Sequence, residues 1–259
     1  MKEILETAKI LTEKAGDHIR QSASQLRQVD YKGRGDMVTD VDRRAEEIIL
    51  DGIRRAYPNH AVLAEESGEN EAQSDYRWVV DPLDGTTNFV HGYPFYCVSV
   101  AVQYRQETVA AVVLNPVQGE LFSALKGGGA HLNGNSIAVS PTSELSRALL
   151  ATGFPYQIGY HWQHSMTLFE AFYRNCHGVR RDGAAALDLC YVAAGRFDGF
   201  WEYELNPWDV AAGLLIVQEA GGKNTDFVDS PSGIFDRQVL ASNGRIHEAM
   251  LEVMRSHPI

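Results

Sequence analysis

The sequence predicts a layered α/β fold, one domain over residues 1–259 with two intimate subdomains at about 1–145 and 146–259. Three observations predict it. The first sixty residues carry two helical patterns of apolar spacing. Residues 61–140 hold strand-like apolar runs whose connections are short enough that most pairs must be antiparallel. Beyond residue 145, strands and helices alternate.

Taken in order, Ile4, Ala8, Leu11, Ala15 and Ile19 form the first helical stripe. A polar, glycine-containing stretch, YKGRGDMVTD, follows, and VDRRAEEIILDGIRRAY reads as a second helix stopped before Pro58. Thr39 and Asp42 have the spacing of a capping box at its start. AVLAEE (61–66) and RWVVD (77–81) are short apolar runs that end in acids. YCVSVAVQYR and TVAAVVLNP alternate as strands, PVQG turns into ELFSAL, and HLNGNSIAVS reads as a hairpin around Asn133-Gly134-Asn135. RALLATGF is a strand, HWQHSMTLFEAFYRN a helix, AALDLCYVAAG a helix ending at Gly195, and FDGFWEYEL a strand. WDVAAGLLIVQEAGG is a helix closed by glycines, QVLASN a strand, and IHEAMLEVMRSH the last helix.

A chain of 259 residues needs no staples to hold its core. Cys97, Cys176 and Cys190 are an odd number, widely spaced and without a CxxC, which argues against disulfide or zinc frameworks and fits a reducing cytoplasm. The N-terminus has charges among its apolar residues, and no run approaches ~18 apolar residues, so a soluble protein is expected. A net charge of −11 argues against a broad nucleic-acid or membrane surface. It leaves anionic small substrates open, because a bound cation inverts the local field.

Acids recur at the ends of elements: Glu65 and Glu66 after one strand, Asp81 and Asp84 after another, and Asp209 at the start of a helix. Each alone has a plain structural reading, as a helix cap, a turn residue or a first-turn acid. Together they suggest convergence, since open sheets put ligands at strand ends. Two carboxylates at ~4 Å repel by roughly 4 kcal/mol at an effective dielectric of ~20. Four such groups call for protons or cations, and hard oxygen donors suit Mg²⁺, Mn²⁺ or Ca²⁺. Gly85-Thr86-Thr87-Asn88 is expected to open a helix with Asp84 as its N-cap and free N–H groups that seat a phosphate. Gly85 permits close backbone approach.

DPLDGTTN (81–88), AEES (64–67) and WDVAAG (208–213), in this order and separation, closely resemble the signatures of the inositol monophosphatase family. The resemblance implies an αβαβα sandwich with a larger antiparallel sheet and a smaller mixed one. It implies hydrolysis of phosphate monoesters with two or three Mg²⁺ ions, replaceable by Mn²⁺ and inhibited by Li⁺, in a homodimer. Carried over, Glu65, Asp81 and the Leu83 carbonyl would hold one ion, and Asp81, Asp84 and Asp209 a second. Glu65 would also reach a third ion through water. Thr86 and Asp42 would orient the attacking water, and the Gly85 and Thr86 N–H groups would bind phosphate. Gly183, Ala185 and Glu202 match positions that contact the sugar alcohol, along with Asp84 and Asp209, and Lys32 matches a mobile loop near the metals.

Other readings stay open at this point. Asp40 is read as surface, Trp201 and Tyr203 as core or dimer packing, and His91 and His161 as structural or exposed. The expected substrate is inositol monophosphate. Alternatives are fructose 1,6-bisphosphate, 3′-phosphoadenosine 5′-phosphate or histidinol phosphate, though Glu202 favours a body of free hydroxyls. A binding role in transcription complexes would need a basic patch, and Arg180-Arg181 is the one compact candidate; it more simply borders the cleft or a dimer surface. A haloacid-dehalogenase-type phosphatase is rejected, because it needs D-x-D where this chain has D-x-x-D.

Overall fold

The computed structural model describes residues 1–23, 29–33, 36–70 and 72–258, except for the side chains of residues 31–33 and 36. Two helices form the first layer. The predicted stripe of α1 (Lys2–Ser22) is buried at Ile4, Ala8, Leu11, Ala15 and Ile19. A hairpin of β1 (Val29–Gly33) and β2 (Asp36–Thr39) leads into α2 (Asp40–Ala56). The Thr39–Asp42 capping box forms as predicted: Asp42 N–H donates to Thr39 Oγ1 at 3.4 Å, and Thr39 N–H donates to Asp42 Oδ2 at 3.0 Å.

The second layer is an eight-stranded sheet. Its strands are β3 (Ala61–Ala64), β4 (Gly68–Glu69), β5 (Tyr76–Asp84), β6 (Cys97–Tyr104), β7 (Glu107–Asn115), β8 (Glu120–Leu125), β9 (Ala130–Leu132) and β10 (Asn135–Ile137). They lie in the order β10-β9-β8-β7-β6-β5-β3-β4, and only β3 and β5 pair in parallel. The short α3 (Thr86–His91) follows β5. One face of this sheet, including Trp78, Val80, Val98, Val100, Val102 and Val112, packs on α1 and α2.

The third layer is α5 (Ala185–Ala193) and α6 (Pro207–Glu219). Val210 through Val217 of α6 are all buried. A helix apolar all round must lie between two surfaces, and here both are sheets. The fourth layer is a mixed sheet of β11 (Leu149–Thr152), β12 (Gly178–Arg180), β13 (Gly199–Tyr203), β14 (Lys223–Thr225) and β15 (Gln238–Ser242), in the order β12-β11-β13-β15-β14. The pairs of β11 are parallel, and those of β15 are antiparallel. The last layer, α4 (Tyr160–Asn175) and α7 (His247–Arg255), covers Trp201 and Leu240 with Phe172 and Met250. The αβαβα sandwich expected from the sequence is therefore the fold. No helix of the described residues is long and apolar enough to cross a membrane.

The structure corrects several local expectations. The stretch around Lys32 pairs as a hairpin, so Lys32 belongs to β1, and its side chain lies outside the described residues. β5 continues through Pro82 to Asp84 instead of stopping at Asp81. Asp84 is not the helix cap. Gly85 takes that position with φ 89°, and a Cβ there would lie 3.0 Å from Phe95 O. The three-residue strands β12 and β14 are too short for an alternation pattern to mark them.

The mixed sheet and α7 are joined by a buried polar knot. His247 is 1% exposed, with Nε2 2.9 Å from Thr225 Oγ1 and Nδ1 2.8 Å from Ser242 Oγ. Burial, aided by the Lys223 charge, lowers its pKa from 6.5 to about 4. The folded state thus takes up this proton later than the unfolded chain. The stability it gives is intact above about pH 6.5 and is lost as pH falls toward 4. His247→Gln should flatten that acid limb of melting temperature against pH, whereas a parallel decline in both proteins would exclude His247 as its source.

Candidate active site

The cleft forms where the ends of β3, β5 and β13 meet the starts of α5 and α6, and it encloses about 890 Å³. That volume lies in the range of small-molecule sites. Its floor is shaped by an irregularity in β5. Asp81 pairs with Ser99, but Asp84 pairs with Cys97, so three steps along β5 match two along β6. In a regular strand, residues three apart face opposite ways. One extra residue restores the parity and turns both carboxylates to the face that carries Cys97 and Ser99. Pro82 sits in the bulge, where a missing N–H costs no ladder bond. Leu83 N–H donates to Asp81 Oδ1 at 3.0 Å and closes the turn.

Neighbouring elements bring the other acids to this floor. Glu65 N–H donates to Val80 O at 3.1 Å, which sets Glu65 beside Asp81. Asp209 is the third residue of α6, and its Oδ2 accepts from Asn206 N–H at 2.7 Å. Asp84 Oδ2 accepts from Ala186 N–H at 2.8 Å, across 102 positions of sequence, with the Cys97 thiol 3.7 Å away. Glu65, Asp81, Asp84 and Asp209 therefore line one cleft, together with Leu83, Gly85, Thr86, Gly183, Ala185 and Glu202. Asp42 lies directly behind: Thr86 Oγ1 is 2.9 Å from Asp42 Oδ1 and equally 2.9 Å from Leu83 O.

The electrostatics follow from this crowding. Burial first, then the charges of Glu65, Asp84 and Asp209, hold the Asp81 carboxyl well above its usual range. Asp84 and Asp209 open partly on the cleft but are enclosed by dense protein, and each is pushed up to about 7. Burial is the main cause, with Glu65 acting on Asp84 and Asp84 on Asp209. Burial also raises Asp42, against the pull of its hydrogen bonds from Thr39 and Thr86. Burial lifts Glu202 to about 8, with Arg181 opposing. The donor set, four carboxylates and a carbonyl, fits hard divalent cations. Among the described residues, no group of three or more His, Cys, Asp or Glu side chains is already arranged to hold one.

Several lining residues carried no signal in the sequence. Gly153, Tyr156, His161, Glu204 and Arg237 border the cleft. His161, expected to be structural or merely exposed, stands on its wall. Arg181 lines the cleft, as its position suggested; Trp201 is buried core, Tyr203 is buried but also borders the cleft, and Asp40 is exposed. The acids at 202 and 204 flank a strand end, and that is the one pattern that could have drawn attention to Glu204.

The profile of the inositol monophosphatase family matches residues 1–258. The chloroplastic phosphatase IMPL1 of Arabidopsis thaliana is 45% identical over 96% of this chain and 69% of its own length. The Nus factor SuhB of Pseudomonas aeruginosa is 44% identical over 99% of this chain and 97% of its own. The structure of inositol monophosphatase from Anabaena (Nostoc) sp. PCC 7120 superposes with a TM-score of 0.87 at 38% identity, covering 99% of this chain and 97% of that one.

A carboxyl raised by folding gives stability in its protonated form, and that stability is lost as pH rises through the folded value. For Asp84 and Asp209 the loss runs from about 4 to above 7. In chelator at pH 8, Asp84→Asn should melt several degrees above wild type, at roughly 2–4 °C per kcal/mol for a chain of about this size. A lower melting temperature would show that the acids do not strain the fold.

Proposed function

The chain belongs to the inositol monophosphatase family, and we propose that it is a Mg²⁺-dependent phosphomonoesterase that hydrolyses inositol monophosphate to inositol and phosphate. The observation that carries this reading is the convergence of Glu65, Asp81, Asp84 and Asp209 beside the Thr86–Asp42 pair. In this reading Glu65, Asp81 and the Leu83 carbonyl hold one ion, and Asp81, Asp84 and Asp209 hold a second. Glu65 would also hold a third through water. Mn²⁺ can substitute and Li⁺ inhibits. When bound, such ions neutralise the phosphate and stabilise both the attacking and the leaving oxygen.

The chain's own residues supply the rest. Thr86 has one hydroxyl proton and two acceptors at equal distance. Directing that proton to Asp42 Oδ1 leaves a lone pair on Thr86 Oγ1 free to orient water and take its proton. Asp42 Oδ2 is already occupied by Thr39, so Oδ1 is the open end of this relay. The raised Asp42 carboxyl makes it the better base. The Gly85 and Thr86 N–H groups, at the start of α3, face the phosphate. Gly183, Ala185 and Glu202 meet the hydroxyls, and Asp84 and Asp209 touch both ion and substrate. The same reading takes residues 1–259 as one domain of two subdomains meeting near residue 145, active in the cytoplasm as a homodimer.

The relatives named Nus factor SuhB support a second reading, in which a surface of this chain binds transcription complexes independently of catalysis. Arg180 and Arg181 are both exposed, but Arg181 faces the cleft, which leaves a small basic patch on a chain of net charge −11. The enzymatic reading therefore comes first.

Asp84→Asn should abolish Mg²⁺-dependent phosphate release, and unaltered turnover would defeat the assignment. Asp42→Asn should lower kcat by ~10²–10⁴-fold, the usual worth of a general base, with a smaller change in KM. A panel of inositol, fructose, nucleotide and histidinol phosphates at fixed Mg²⁺, repeated with Li⁺, tests the substrate. Preference for a bisphosphate would overturn the choice of inositol monophosphate.

A further inference from the structure

Beyond Glu202 the cleft wall carries a hydrogen-bonded pair that the chemistry above does not use. His161, in the first turn of α4, and Glu204, just past β13, both line the cleft. His161 Nδ1 lies 2.7 Å from Glu204 Oε1. An ionised carboxylate only accepts, so Glu204 fixes the ring proton on Nδ1. With its single proton on Nδ1, an imidazole presents Nε2 as an acceptor. Nε2 takes no hydrogen bond from the described residues, and the side chain keeps 40% of its surface exposed.

The ring is held firmly for a surface residue. It stacks on Tyr203 with centroids 4.8 Å apart and planes 3° from parallel. Tyr203 is 2% exposed, and its hydroxyl lies 2.7 Å from His164 Nδ1. His164 Nε2 in turn lies 2.6 Å from His257 O. Glu204 has φ 62°, a left-handed conformation that suits glycine and that other residues rarely adopt. Two contacts with Arg237 pin it there: Glu204 N–H donates to Arg237 O at 2.6 Å, and the Arg237 guanidinium donates to Glu204 O at 3.0 Å. A non-glycine residue kept in such a conformation at a cleft rim points to a use for its side chain. Glu202 reaches the same rim because Gly153 has no side chain. A Cβ there would fall 2.0 Å from Glu202 Oε1.

We infer that His161 is a specificity-determining residue whose Nε2 accepts a hydrogen bond from a substrate hydroxyl remote from the phosphate, with Glu204 as the positioning residue that holds the ring. The inference deepens the polyol-phosphate reading and rests on it. With the phosphate at the Asp81–Asp84 end, the polyol body lies toward Glu202 and His161. Glu202 and His161 together offer oxygen and nitrogen acceptors that reward hydroxyls and give nothing to an aryl or alkyl group.

The test compares wild type, His161→Phe and Glu204→Gly on myo-inositol 1-phosphate and phenyl phosphate, both with Mg²⁺. The readout is the ratio of the two kcat/KM values. Phenylalanine keeps the stack on Tyr203 and removes Nε2, so the ratio should fall about three- to tenfold, the worth of one hydrogen bond, mostly through KM for the inositol ester. Glu204→Gly releases the ring and relieves the left-handed backbone. The ratio should fall there too, while the melting temperature holds or rises. An unchanged ratio, or equal losses on both esters, overturns the inference. A wild-type enzyme with no preference for the inositol ester overturns the substrate reading itself, and that result appears before any substitution is made.

Discussion

Mutual repulsion among buried carboxylates is the constraint on which the rest of this structure turns. The bulge in β5 forces Asp81 and Asp84 onto one face, and Glu65 and Asp209 are then brought to the same cleft. The fold offsets part of this cost with helix starts. Ala186 N–H at the head of α5 donates to Asp84, Asn206 N–H at the head of α6 to Asp209, and Thr39 N–H at the head of α2 to Asp42. Each joins a carboxylate to an otherwise unsatisfied N–H at the positive end of a helix. The offset is partial, since the carboxyls of Asp81, Asp84 and Asp209 remain raised.

This arrangement explains the layer order. Helices α5 and α6 lie between the two sheets, so both can start at the cleft while burying every side. A helix on an outer face would need a polar stripe and could not be apolar all round. The central layer thus packs against both sheets and also presents backbone donors to the acids. A site assembled from element ends on a packed core is held more tightly than one built on loops.

Much of this was legible in the sequence, because local chemistry writes local signals. The Thr39–Asp42 box, the Asn133-Gly134 hairpin, with φ 50° and 79°, and the glycine at 195 form where their residue types predict. The acids themselves were visible through position at element ends. What was not legible depends on distant partners. Asp84 reads locally as a helix cap, yet its Oδ2 is engaged by Ala186, 102 residues away. Nothing near Gly153 announces that its missing side chain makes room for Glu202. The pairing of His161 with Glu204 spans 43 positions and joins two layers. The bulge at Pro82 lies between the two, since the apolar run reads as ending at Asp81, where β5 in fact bends and continues to Asp84.

The overall charge and the local chemistry can also be reconciled. A chain of net charge −11 repels a phosphate dianion at long range, and a cleft floored by carboxylates repels it further at contact. Arg181 and Arg237 line the cleft, but each is partly committed, the first by the field of Glu202 and the second by the Glu204 carbonyl. Under the proposed reading, affinity for the phosphate must therefore come with the cations that the same acids attract. Linkage makes this reciprocal: whatever factor an ion adds to substrate affinity, substrate adds to ion affinity. The repulsion within the empty cleft then makes anion binding conditional on the cation, because a cation relieves the acids whereas an anion alone would add to their repulsion.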